Sequence, residues 1–243
     1  MPIVAESTYR PPFWLPGGHM QTIVPSLFRR VKPVTTQRER LELEDGDFLD
    51  LAWSGKTSKR LAILSHGLEG SCNAAYIQGM ARALVEHGWD ALAWNFRGCG
   101  IEPNRLLSFY HSGATEDLDA VICHALATHP AESIDLIGFS LGGNLTLKYL
   151  GEPRERSPKL HRAVAFSVPC DLADSSATLS KPENRIYMAR FLRSLRAKLR
   201  VKDGIFPGEL DLSDLDHVAT FAQFDDRFTA PLHGFRNAVD YWT

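Results

Sequence analysis

The chain has 243 residues, 44% of them apolar and 23% charged, with a formal net charge of −2. That length can bury the core of one large α/β domain, and the charge carries no basic excess of the kind that tracks nucleic acid. No apolar run approaches the ~18 residues of a membrane span, and Met1–Arg10 has neither signal-peptide nor transit-peptide character, so a cytoplasmic location is expected.

Residues 1–38 read as an irregular arm. Pro11, Pro12 and Pro16 forbid a long helix, which leaves a short one near Gln21–Phe28. His19, beside Gly17 and Gly18, reads as a hydrogen-bonded structural residue. Two alternating runs, Glu39–Glu44 and Phe48–Trp53, flank Asp45-Gly46-Asp47 and predict an antiparallel hairpin with one solvated face.

From Arg60 the pattern changes. Leu61–Leu64 is a continuous apolar strand that runs into His66-Gly67-Leu68-Glu69-Gly70. A helix over Asn73–His87, a strand over Trp89–Trp94, a loop through Asn95–Arg105 and a helix over Ala114–Thr128 follow. Then come the strand ending at Gly138, a helix from Leu141, and the strand Arg162–Val168. Apolar strands alternating with helices predict a mostly parallel sheet covered on both faces, with ligands bound outside the strands' carboxyl ends. The segments His66–Gly70, Asn95–Gly100, Phe139–Leu141 and Val168–Asp171 should therefore line one cleft.

Residues 39–170 form that core, and residues 171–243 read as a helical cap. Pro182–Lys202 is a basic amphipathic helix whose apolar stripe includes Ile186, Tyr187, Phe191, Leu192, Leu195 and Leu199. It is either a solvated face or a lid that makes peripheral contact with anionic lipid or acidic substrates. Ser213–Phe224 and Leu232–Trp242 also read as helices, and no further buried strand is expected after Val168.

Gly138-Phe139-Ser140-Leu141-Gly142 is G-x-S-x-G between a strand and a helix, the pattern of a nucleophile elbow. The strained turn needs small residues at both ends, hence Gly138 and Gly142, and it pushes the Ser140 hydroxyl above the sheet. A helix starting at Leu141 aims free backbone N–H groups at developing negative charge. The oxyanion donors are expected to be the N–H of Leu141 and that of Leu68, in the loop after Leu61–Leu64. His66 is then structural. Cys72, Cys99, Cys123 and Cys170 are scattered without metal or redox spacing, so no metal site is expected.

The chain resembles the YheT-like branch of the α/β-hydrolases. The matching segments are Trp14-Leu15 with Gly18–Ile23, His66–Gly70, Asn95–Cys99, Glu102–Arg105, Tyr110–Gly113, Gly138–Asn144, Ala230–Phe235 and Asp240-Tyr241. The resemblance implies an α/β-hydrolase fold and an esterase or lipase-like enzyme acting on small or lipid-like carboxylic esters, without metal or organic cofactor. It also implies that the triad aspartate and histidine come from two strands beyond the segment matching Asp240-Tyr241, so that the family's last strands are expected to be absent from this sequence. Of the local substitutes, Asp171 lies just past a strand end and is the acid candidate, although capping the following helix or turn is its expected role. His217 and His233 fall in the helical insertion and are not expected to serve as the base. Two functions follow. One is a serine carboxylesterase using Ser140; the other is a catalytically incomplete relative that binds without turnover.

Overall fold

The computed structural model describes residue 4 and residues 6–243. Six strands form one sheet: β1 (Gln37–Glu42), β2 (Phe48–Ser54), β3 (Arg60–Ser65), β4 (Asp90–Trp94), β5 (Ser133–Phe139) and β6 (Leu160–Phe166). Their spatial order is β1-β2-β4-β3-β5-β6. β1 pairs antiparallel with β2, and β2 with β4; the pairs β4–β3, β3–β5 and β5–β6 are all parallel.

The two-residue period of each strand builds two cores. Leu61 and Ile63 of β3, Leu92 and Trp94 of β4, and Ile134 and Leu136 of β5 face one side. There they meet α3 (Thr115–Thr128) through Leu118, Val121 and Ile122, and α4 (Leu141–Gly151) through Leu145 and Tyr149. Ala62 and Leu64, Ala91 and Ala93, and Ile137 face the other side, against Ile77 and Ala81 of α2 (Ala75–Glu86). The alanines on that face let α2 lie close to the strands. Each fully buried Leu or Ile contributes roughly 1.5–3 kcal/mol.

The hairpin departs from expectation in one respect. β2 is buried on both faces, because it lies between β1 and β4 with Trp53 in one core and Ala52 in the other. Only β1, at the edge, has the expected solvated side. The turn is fastened from below. Arg97 holds Asp117 at 2.7 Å and Asp47 at 3.3 Å, while Asn104 donates to Asp47 at 2.7 Å. Asp47 is fully buried. Burial alone would raise its pKa, but hydrogen bonds from Asn104, Arg105 and Phe48, with Arg97 nearby, hold it below the usual carboxylate range.

After β6 the chain is helical: α5 (Leu172–Leu179), α6 (Arg185–Ile205), and then short pieces. The two continuous helices expected over Ser213–Phe224 and Leu232–Trp242 are broken instead. α7 is Phe221–Phe224, Asp225–Thr229 is a π-helical turn, α8 is Ala230–Leu232 and α9 is Ala238–Trp242. Capping residues inside the periodic pattern explain the breaks. Thr220 accepts from the Gln223 N–H, Gly234 turns at φ 77°, and Asn237 accepts from the Asp240 N–H. The arm carries α1 (Gly17–Phe28), which begins four residues before the expected helix.

Candidate active site

Ser140 stands alone between β5 and α4, with φ 52° and ψ −118°. Three non-glycine residues among those described have positive φ: Glu69, Ser140 and Ser167. All three follow the carboxyl ends of adjacent parallel strands, where strain of this kind clusters at functional sites. A Cβ on Gly138 would overlap the Gly142 carbonyl, and one on Gly142 would stand 2.5 Å from the Ser65 and His66 carbonyl oxygens. These two positions therefore require glycine.

The loop after β3 lies against the elbow. A Cβ on Gly67 would come within 3.1 Å of the Ser140 Cβ. In this loop the Gly67 N–H donates to Tyr76 Oη at 2.9 Å, the Glu69 N–H to Tyr110 Oη at 3.0 Å, and the Gly70 N–H to the Gly67 carbonyl at 2.9 Å. The Leu68 N–H has no acceptor among the described residues, and neither does the Leu141 N–H at the start of α4. Leu68, Ser140 and Leu141 line one cavity of about 170 Å³.

His66 has the structural role expected of it. It is fully buried, with Nδ1 2.8 Å from the Gly67 carbonyl and Nε2 accepting from the Phe96 N–H at 3.2 Å. Burial pushes its pKa down to about 4.

Helices after β6 wall one side of the cavity. Leu172 and Leu179 of α5, Phe191 and Leu195 of α6, and Phe221 and Phe224 of α7 form an apolar wall. Asp171 is not part of that wall. Its carboxylate caps α5, accepting from the Asp174 N–H at 2.8 Å, and is exposed. His217 is exposed and stands 4.0 Å from Asp214. His233 packs its ring on His111, with centroids 4.3 Å apart. Its Nε2 is buried without a partner among the described residues, and burial first, then His111 and Arg97, push its pKa down to about 3. Ser140 Oγ makes no hydrogen bond among the described residues. Among those residues no cluster of His, Cys, Asp or Glu is arranged to hold a metal.

The Hydrolase_4 family, described as serine aminopeptidase, S33, matches residues 56–223. "Putative esterase YheT" of Escherichia coli strain K12 is 38% identical over 230 residues, covering 92% of this chain and 67% of that protein. The chain belongs to the YheT-like branch of the α/β-hydrolases. Phospholipase ABHD3 of Mus musculus is 29% identical over 252 residues, covering all of this chain and 61% of that one. The esterase Pf2001 of Pyrococcus furiosus overlays with a TM-score of 0.53 at 22% identity, covering 80% of this chain and 67% of its own, a likeness of fold. The chain thus spans between 61% and 67% of the length of these proteins.

In this YheT-like chain two cavity residues escape sequence reasoning. His111 lines the same cavity as Ser140. Its Nδ1 accepts from the Gly113 N–H at 3.1 Å, and burial, with Lys148 and Arg97, pushes its pKa down to about 4. Asp225, on the π-helical turn, accepts from Thr229 Oγ1 at 2.6 Å and from Trp242 Nε1 at 3.0 Å. Burial pushes its carboxyl up to about 6. His111 belongs to the Tyr110–Gly113 run, which could have drawn attention to it. Asp225 has no local signal, since its burial is made wholly by tertiary contacts.

α6 also grips the loop after β3. Lys198 Nζ lies 2.7 Å from Glu69 Oε1, and both side chains are only 10% exposed. Tyr110 Oη donates to the same oxygen at 2.8 Å, and the ammonium sits 4.5 Å from the centre of the Tyr110 ring. Further along α6, the fully buried Lys202 donates to the Asn104 and Leu106 carbonyls. The basic side of this helix is therefore not uniformly solvated; its C-terminal half is docked.

Proposed function

We propose that this chain is a serine hydrolase acting on carboxylic esters, with Ser140 as its nucleophile. Ser140 Oγ attacks the ester carbonyl and gives up its proton, which is passed through a general base or water to the departing alkoxide, while the carbonyl electrons move onto oxygen. The Leu68 and Leu141 N–H groups stabilise that oxyanion; the alcohol leaves, and water then releases the acid from the acyl-enzyme. One observation carries the reading: two backbone N–H groups without an acceptor among the described residues flank a strained serine in one cavity. Relatives named as an esterase and a phospholipase favour an ester or lipid-like substrate. The apolar cap wall suits an acyl chain, and no cofactor enters the steps.

The absence of any hydrogen bond to Ser140 Oγ among the described residues favours a second reading, a protein that binds esters without turning them over. A fluorophosphonate probe separates the two. The first reading expects labelling of the chain, abolished in Ser140→Ala and accompanied by hydrolysis of p-nitrophenyl esters. No labelling at all favours the binding protein, and equal labelling of Ser140→Ala overturns the assignment of the nucleophile. Slow turnover alone does not decide, because a site lacking a triad member retains about 10³–10⁴-fold acceleration over water. Asp171→Asn tests the acid candidate. Asparagine caps a helix as well as aspartate, so reduced labelling in that variant would mean a role beyond the cap.

A further inference from the structure

The arm and the N-terminal half of α6 share a surface that the catalytic reading leaves unused. α1 has no buried residue. Met20, Val24 and Leu27 recur on one face at i, i+4 and i+7, with Phe28 beside them. An isolated helix of this length is marginal in water and needs a surface to bury its apolar side. One edge of α1 already lies on α6, where His19 Nδ1 is 2.9 Å from Tyr187 Oη and Arg190 donates to Ser26 Oγ at 3.2 Å. The rest is bare. Phe13, Trp14, Met20, Leu27, Phe28 and Ile186 are each between 42% and 90% exposed.

Charge says what covers it. Residues 6–32 and 181–193 together hold eight Lys and Arg but only two carboxylates, Glu6 and Glu183, in a chain whose net charge is −2. Arg29, Arg30, Lys32, Arg185, Arg190 and Arg193 are exposed and form no ion pair among the described residues. On α6, Ile186, Arg190 and Arg193 follow at i, i+4 and i+7, so cation and apolar group share one face. A second copy docked symmetrically over this patch would set these cations against themselves. We infer that the α1–α6 surface seats the protein on an anionic lipid bilayer, with aromatic and aliphatic side chains entering the interface and arginines meeting the headgroups.

The seat is joined to the Ser140 cavity. α6 turns Phe191 and Leu195 into that cavity and Tyr187 and Arg190 toward the arm. A lipid-borne ester would thus arrive beside the cap. Membrane seating itself does not depend on turnover, so it stands or falls apart from the role of Ser140.

Co-sedimentation of the full chain with vesicles tests the inference. Binding is expected to mixed phosphatidylcholine–phosphatidylserine vesicles, weakening as salt rises, with much less to phosphatidylcholine alone. Arg29→Gln with Arg30→Gln should weaken binding about thirtyfold. Leu27→Ser with Phe28→Ser should also weaken it. A blue shift of tryptophan emission on binding should vanish in Trp14→Phe. These positions are exposed, so thermal melts of all the variants should match the parent. Failure to bind the anionic vesicles overturns the inference, as does equal, salt-insensitive binding to both. Self-association abolished by the Leu27/Phe28 pair, without vesicle binding, would assign the patch to a second copy instead. Labelling of Ser140 by a fluorophosphonate, measured in parallel without vesicles, reports on the catalytic reading alone.

Discussion

At the scale of single residues, two other strained positions and two backbone N–H groups without an acceptor among the described residues lie around the strained Ser140, and something must hold them there. Glu69 sits at φ 53° immediately after Leu68, whose N–H is the proposed oxyanion donor. A left-handed non-glycine residue persists only where its surroundings over-determine it. Here Tyr110 grips both its N–H and its carboxylate, while Lys198 reaches across from the cap. Removing the lysine leaves a nearly buried carboxylate with a single hydroxyl partner. Lys198→Met is therefore expected to destabilise the chain by about 3 kcal/mol, read from urea unfolding midpoints. It should also slow fluorophosphonate labelling of Ser140 more than Lys198→Arg does. Unchanged labelling in Lys198→Met would show that the loop holds its shape without the cap.

At the scale of elements, the strands and their flanking helices were legible because each is decided locally. Leu61–Leu64 and Trp89–Trp94 are apolar on both faces, and the elbow announces itself by its two glycines. The cap was less legible. Thr220, Gly234 and Asn237 interrupt an apolar period that otherwise reads as two helices, and a cap shows itself only once the chain's direction is known. The π-helical turn between those breaks places Asp225 in the cavity wall, where its carboxyl is raised to about 6. Folding therefore favours the protonated form. The stability this confers is fully present below the unfolded value of about 4, and it is lost as pH rises through about 6. Asp225→Asn keeps an acceptor for Trp242 and gives Thr229 a donor in place of the charge. It should exceed the parent in stability at neutral pH by on the order of 2 kcal/mol, a gap that closes in acid. His111 and His233 pull the other way, since both are held neutral, so only the difference between variant and parent isolates Asp225. Denaturant unfolding at both pH values measures it; a gap independent of pH would remove Asp225 from the titration.

At the scale of the whole molecule, the sheet has two very different margins. β1 is a polar edge, its strand reading Gln-Arg-Glu-Arg-Leu-Glu, and charges of this kind discourage pairing with another chain. β6 carries such a charge only near its start, at Arg162 beside His161, and from Ala163 to Phe166 it is wholly apolar. It pairs only with β5 among the described strands, and Val164 and Phe166 are 46% and 39% exposed. Phe166 stacks on Phe139 at 4.9 Å, so the strand keeps an apolar face beside unpaired N–H and C=O groups. An edge that is both open and apolar templates another strand. This was foreseeable from the sequence, where Arg162–Val168 reads as a buried central strand with nothing expected to pair beyond it. The 243-residue chain is accordingly expected to self-associate with rising concentration in sedimentation velocity. Val164→Lys, which puts a charge on the open strand without touching the Ser140 cavity, should shift the population toward monomer and leave labelling intact. Since Val164 lies opposite Ile137 across the β5–β6 pair, the lysine stem can still cover part of that residue while its ammonium reaches water. A parent chain that stays monomeric at every concentration would mean that exposure at β6 is too brief or too short to nucleate pairing.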